Sequence, residues 1–139
     1  MLMAALIIAC ADGRIADPLT RLTERLDVAG ADRMFVPGGP LVLTRPGMER
    51  RVAMRFIADM VEAHAIRRII LVSHQDCSSY ERALGGLGFD QQELLERDLR
   101  RVKMLIENDF PEIDVSCYVI PWRENGAGGA AFGEAEPVD

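Results

Sequence analysis

Two unbroken apolar runs constrain this chain more than any other feature: residues 3–9 (Met-Ala-Ala-Leu-Ile-Ile-Ala) and the run inside residues 68–73 (Arg-Ile-Ile-Leu-Val-Ser). Neither alternates polar with apolar, so neither suits a strand with one wet face. Both read as parallel strands covered on two sides. Reactive side chains follow each run at once. Cys10-Ala11-Asp12-Gly13-Arg14 comes after the first, and His74-Gln75-Asp76-Cys77 after the second.

Helical patterns separate the strands. Asp17-Pro18 is expected to cap a helix, with Pro at its first position; Leu19, Leu22 and Leu26 form one apolar face. Residues 32–36 predict a second strand, broken by Pro37-Gly38-Gly39-Pro40 and continued by Leu41-Val42-Leu43. A long helix is predicted over 48–64, with Val52, Phe56, Ile57, Met60 and Val61 at helical spacing. A short helix over 78–84 is interrupted by Gly85-Gly86-Leu87-Gly88, read as a turn. A second amphipathic helix spans 91–108 through Leu94, Leu95, Leu99, Val102 and Ile106, and 114–120 supplies a last strand.

Strands alternating with helices predict an α/β domain, a mostly parallel sheet flanked by helices. Residues 1–123 form one zinc-binding domain in this reading. The Gly-, Ala- and Glu-rich residues 124–139 are expected to be a mobile tail.

The chain has 139 residues, enough for one ordinary core. Its net charge is -6 with no basic stripe, which speaks against nucleic acid as a partner. The first apolar run is too short to span a bilayer. No Lys or Arg precedes it, so it is read as a buried strand rather than a secretory or lipoprotein signal. Three cysteines without disulfide-framework spacing point to a reducing, cytoplasmic setting.

Ligands of parallel sheets bind beyond the carboxyl ends of strands, where both motifs sit. If the two strands are neighbours, Cys10, Asp12, His74 and Cys77 converge. Zinc takes Cys sulfur, His nitrogen and carboxylate oxygen in a tetrahedral set. Two Cys and one His leave a fourth position for water or a carboxylate, as in a working rather than a closed zinc site.

Cys-x-Asp-x-Arg after the first strand and His-x-x-Cys after a later one resemble the β-class carbonic anhydrases. The approach Val61-Glu62-Ala63-His64-Ala65-Ile66-Arg67-Arg68-Ile69-Ile70-Leu71-Val72-Ser73-His74 is similar to that family's helix-turn-strand, and the likeness runs from about Met3 to Trp122. It implies Zn2+ held by Cys10, His74 and Cys77. Asp12 then either completes the tetrahedron or swings to Arg14, whose guanidinium grips a carboxylate through a two-pronged fork. Asp12 and Arg14 are the implied catalytic pair, and the implied activity is reversible hydration of carbon dioxide to bicarbonate by zinc-bound hydroxide. A homodimer or larger homo-oligomer is implied as well.

The pattern departs from the family at several places. Gly13 stands for the usual Ser, Ser78 for the usual Gly, and residues 36–40 replace an Arg-Asn-Ala-Gly stretch. The N-terminal helical arm of the family is not found. Two alternatives therefore accompany hydration: a zinc hydrolase of another small electrophile, and a zinc-binding module without hydratase activity. A redox pair is disfavoured, since Cys10 and Cys77 are not Cys-x-x-Cys.

Other residues receive structural roles. Cys117 is read as core packing, His64 as a helix C-terminal cap, and Asp76 as a solvent-facing or capping residue. The Gly38-Gly39 pair is read as serving backbone geometry, with amides able to face a small anion.

Overall fold

The computed structural model describes residues 4–84, 91–124 and 126–139. Both apolar runs are buried strands. β1 (Ala5–Cys10) is buried at every position, and β3 (Arg68–His74) at every position after Arg68. The α/β architecture is as expected: with β2 (Asp32–Val36), β4 (Asp114–Ile120) and β7 (Glu136–Val138), a mostly parallel five-stranded sheet flanked by helices runs in the order β2-β1-β3-β4-β7 among the described residues. β2 and β3 lie parallel on either side of β1, and β4 lies parallel beside β3.

Right-handed crossovers dictate where the helices go. The step from β1 to β2 runs outward across the sheet, and the step from β2 to β3 runs back over β1. α1 (Ala16–Arg25) carries the first of these steps and α2 (Met48–His64) the second, and right-handed connections in opposite directions set two such helices on opposite faces. α3 (Ser78–Leu84) and α4 (Gln91–Asp109) make the next crossover, and α4 packs on β3 and β4. Leu94, Leu95, Leu99, Val102 and Ile106 of α4 are buried as their spacing predicts. Each such side chain removed from water contributes about 1.5–3 kcal/mol. Asp98 shares that buried face, and the Tyr80 hydroxyl donates to it at 3.1 Å.

Four local expectations are corrected. α1 starts at Ala16 after a 3-10 turn over Gly13–Ile15, so Pro18 lies inside the first turn and Asp17 does not cap it. The turn is capped instead by Asp12, which accepts from the Arg14 backbone N–H at 2.9 Å. Leu41-Val42-Leu43 does not continue a strand. It belongs to a 3-10 turn over Gly39–Leu43 that drops Leu43 into the core. α2 has the predicted ends, but buries Ala53 and Ile57 while Val52 and Phe56 are 42% and 55% exposed. Helical spacing identifies a stripe; which edge of it meets the sheet depends on the crossover.

The fourth concerns the tail, expected to be mobile beyond Glu124. β5 (Trp122–Glu124) pairs antiparallel with β6 (Ala130–Phe132), and β7 (Glu136–Val138) closes the sheet against β4. Composition hid its three anchors. Ala135 is buried, Phe132 and Val138 pack on the core, and Arg25 donates to the Ala135 carbonyl at 2.6 Å. The predicted turn at Gly85-Gly86-Leu87-Gly88 lies outside the described residues.

Candidate metal centre

Strand order places the site. β1 leads outward to β2 and the chain then returns to β3 on β1's other side, so the order reverses between β1 and β3. A crevice opens beyond the carboxyl ends of strands at such a reversal. Cys10 is the last residue of β1 and His74 the last of β3. Cys77 follows three residues later, at the start of α3. All three are buried, and their ligand atoms lie within 4.8 Å of one another. A tetrahedral ion with bonds of about 2.0–2.3 Å needs its ligand atoms about 3.5 Å apart, so one ion fits this group.

The loop after β2 shapes the Cys10 side. Gly38 (φ 78°) and Gly39 (φ 55°) are both left-handed, which glycine adopts without strain. A Cβ on Gly39 would lie 2.7 Å from backbone atoms of Ala9 and Cys10, so the loop rests directly on the end of β1. That contact aims the Gly38 N–H at Cys10 Sγ, 3.3 Å away. The anion expected of these amides is the cysteine's own sulfur.

The two sulfurs share a proton unequally. Hydrogen bonding from Cys77 holds the Cys10 thiol well below its ordinary value against the opposing effect of burial, and His74 and the Asp12 and Gly38 amides add to this. The same bond and burial push Cys77 up. One thiolate is thus ready-made, and the second proton leaves only when a cation compensates it.

His74 shows most directly that a cation fits. Its Nδ1 lies 2.7 Å from the Gln75 carbonyl oxygen, which accepts and so keeps the proton on Nδ1. Its Nε2 is buried without a hydrogen-bond partner, and Asp12 Oδ2 is 3.9 Å away. A backbone carbonyl behind the imidazole is the usual support of a metal-bound histidine. Burial disfavours charge on His74, yet Cys10 and the Gln75 carbonyl outweigh it and raise its pKa. Surroundings that favour a proton on Nε2 favour a metal cation there too.

Asp12 is turned towards Arg14. Arg14 Nε lies 3.1 Å from both carboxylate oxygens and Nη2 2.7 Å from Oδ2. The guanidinium beside Asp12 lowers its pKa, with burial opposing. Arg14 also binds Asp76, through Nη1 to Oδ2 at 3.1 Å and Nη2 to the backbone oxygen at 3.2 Å. Asp76, in a left-handed conformation (φ 55°), faces solvent as expected, with its side chain 40% exposed, and is an Arg14 partner as well. Its backbone N–H is tied to Gln91 at 2.8 Å. A half-exposed ion pair is worth about 0–1 kcal/mol, so these bonds serve geometry more than stability.

Two aromatic residues complete the surroundings. Phe132 stands edge-on to His74 at 5.3 Å between ring centroids, and Trp122 packs on Phe132 at 4.7 Å. The Arg14 guanidinium lies 5.4 Å from the Trp122 ring and 5.1 Å from that of Phe132. Neither had a sequence signal, because both lie after the last predicted strand, Phe132 within the segment read as tail.

Of the predicted residues, Cys10, Asp12, Arg14, His74 and Cys77 come together. His64 does not. It pairs with Asp32, opposite Leu6 and so at the amino end of the sheet, away from the site. Cys117 is buried beneath α4, with its sulfur 3.7 Å from the Leu99 carbonyl.

No protein-family model matches the chain. Two curated proteins are similar in sequence. An uncharacterised protein of Rickettsia bellii is 23% identical over 127 residues, covering 84% of this chain and 76% of that protein. An uncharacterised protein of Rickettsia conorii is also 23% identical over 127 residues, covering 84% and 67%. Solved structures show the fold. The β-carbonic anhydrase CafD of Aspergillus fumigatus superposes with a TM-score of 0.53 at 12% identity, over 95% of this chain and 90% of that one. A tetrameric β-carbonic anhydrase of Sordaria macrospora gives 0.53 at 12% identity, over 96% and 82%. The fold is that of the β-carbonic anhydrases.

Proposed function

We propose that this chain belongs to the β-carbonic anhydrase family and is a zinc enzyme that hydrates carbon dioxide reversibly. One observation carries the proposal. Cys10, His74 and Cys77 converge at the sheet's reversal point, with the bare Nε2 of His74 facing a carboxylate that Arg14 holds aside. The three would hold zinc. Bound zinc supplies Lewis acidity, which elsewhere brings the pKa of water from about 15.7 towards 7.

The chain's own groups do the rest. The Gln75 carbonyl keeps the Nδ1 proton in place, so Nε2 presents its lone pair. The Gly38 and Asp12 amides draw charge from Cys10, offsetting the donation by which two thiolates would weaken the Lewis acid. Asp12 is only an acceptor when ionised. Arg14 compensates part of its charge, and the carboxylate can accept an O–H from a water at the site, orienting that oxygen towards a small electrophile. Carbon dioxide or bicarbonate is the proposed substrate.

The same reading carries a homo-oligomer. The tetrameric assembly of the Sordaria macrospora enzyme and the outer edge of β2, unpaired among the described residues and with Phe35 41% exposed, support it. A cytoplasmic location is proposed from the three unpaired cysteines. Among the described residues no helix is long and apolar enough to cross a membrane.

Metal analysis with stopped-flow hydration tests the function. We expect one zinc per chain, lost in Cys77→Ser, and hydration that rises from neutral to alkaline pH. Asp12→Ala should keep its zinc while kcat falls about 100-fold or more, the usual scale for a positioned proton-handling group. Freshly reduced protein without stoichiometric zinc overturns the proposal. Zinc with no hydration at any pH leaves a binding module, and zinc with activity on another electrophile leaves a hydrolase.

A further inference from the structure

Arg14 is held far more elaborately than a pairing with Asp12 requires. Its side chain is 49% exposed, so ion pairs alone would be screened and free to exchange with water. Asp76 pulls on the same guanidinium from the other side, competing for its donors. What remains is a wall of two rings. Trp122 and Phe132 are direct cross-strand neighbours in the β5–β6 pair, and both rings lie within 5.4 Å of the guanidinium carbon.

That wall is tied to the site. The Trp122 backbone N–H donates to Gln75 Oε1 at 2.8 Å, and the Gln75 side chain amide donates to Gln92 at 2.7 Å. Gln75 is the residue whose carbonyl supports His74. The Gly133 N–H closes the other strand onto the Pro121 carbonyl at 2.9 Å, and a Cβ on Gly133 would meet Pro121 at 3.2 Å. A cation is attracted to ring faces within about 6 Å, and a planar guanidinium set against rings loses the freedom to swing outward.

We propose that Trp122 and Phe132 are positioning residues that act through Arg14. Their rings fix the guanidinium where its Nε and Nη2 bind Asp12, and so keep that carboxylate from joining Cys10, His74 and Cys77. The role in turnover rests on the zinc-hydratase reading; the holding of Arg14 does not. Phe132 also touches His74, whereas Trp122 reaches the site through Arg14 and Phe132. Because both rings also connect to His74 through Phe132, the Arg14 route is marked by Arg14 itself, read directly.

The first readout is the Arg14 Nε–H resonance in metal-free protein, assigned by its loss in Arg14→Lys. Ring currents and the Asp12 bonds should give it a displaced shift and slow exchange with water. Trp122→Leu and Phe132→Leu should each move it towards the other exposed arginines and speed its exchange, while Phe132→Tyr restores it. The second readout is the zinc-loaded enzyme. There both leucine variants should lower kcat about tenfold with KM within about twofold, the pattern of misplacement rather than lost binding. An unmoved Arg14 resonance in the folded leucine variants overturns the proposal. So does a moved resonance with unchanged kcat, since the rings would then hold Arg14 to no catalytic end. A zinc-loaded wild type that hydrates nothing defeats the functional reading instead, and the resonance still decides whether the rings hold Arg14.

Discussion

Arg14 and Gly39 act at opposite ends of what one residue can do. Arg14 contributes little to stability, because it is half exposed and its ion pairs are screened, yet it decides where Asp12 points. Gly39 carries no functional group, yet its missing side chain lets the loop after β2 rest on Ala9 and Cys10. Gly39→Ala would place a methyl 2.7 Å from backbone that cannot yield, at φ 55°. We expect it to cost about 2–4 kcal/mol, adding the left-handed penalty to overpacking. The midpoint of urea unfolding measures this, and a shift below about 0.5 kcal/mol would show that the loop is free to lift off β1.

At the scale of elements, α2 and the last strands show where periodicity stops short. The spacing of Val52, Phe56, Ile57, Met60 and Val61 identifies a helix, and a helix is found over Met48–His64. Of these, Ile57 is buried and Met60 and Val61 pack on the core, joined by Ala53, whereas Val52 and Phe56 face outward. Ile57→Ala should therefore destabilise by about 2–5 kcal/mol. Phe56→Ala should stay within about 0.5 kcal/mol, as for a surface position. Denaturant titration at low protein concentration separates them, and equal losses would restore the face that spacing suggests. The segment after Glu124 was hidden for a related reason. Strands of three residues are too short to show a period, and β7 is held by pairing with β4 rather than by its own pattern.

For the whole molecule, the metal group couples distant parts of the chain. Cys10 and His74 are separated by two crossovers, so an ion that binds them favours the folded state over the unfolded one. Zinc at about 100 times its Kd should add about 2.7 kcal/mol of stability by mass action. A thermal shift on adding zinc, reversed by a chelator and absent in His74→Ala, is the expected outcome. An unchanged Tm with zinc demonstrably bound would place the metal elsewhere.

Much of this was legible in the amino-acid order. Unbroken apolar runs of seven and four residues between helical patterns leave no polar face for water, and so require strands covered on both sides. Chemistry at the ends of those runs follows, and so do the candidate ligands Cys10, His74 and Cys77. Their union was expected from the family resemblance and, from the residues alone, only on condition that the two strands are neighbours, since neighbouring strands are chosen by crossover direction and not by any pattern inside a strand. Only the order β2-β1-β3 made the two motifs one site. The partners of Arg14 were decided there too. Asp76, Trp122 and Phe132 lie 62 to 118 residues from it, and a cation takes whichever carboxylates and rings the fold brings within a few ångströms. Sequence settles which side chains are driven from water and with what period; contact between remote side chains is settled by the packing of the whole chain.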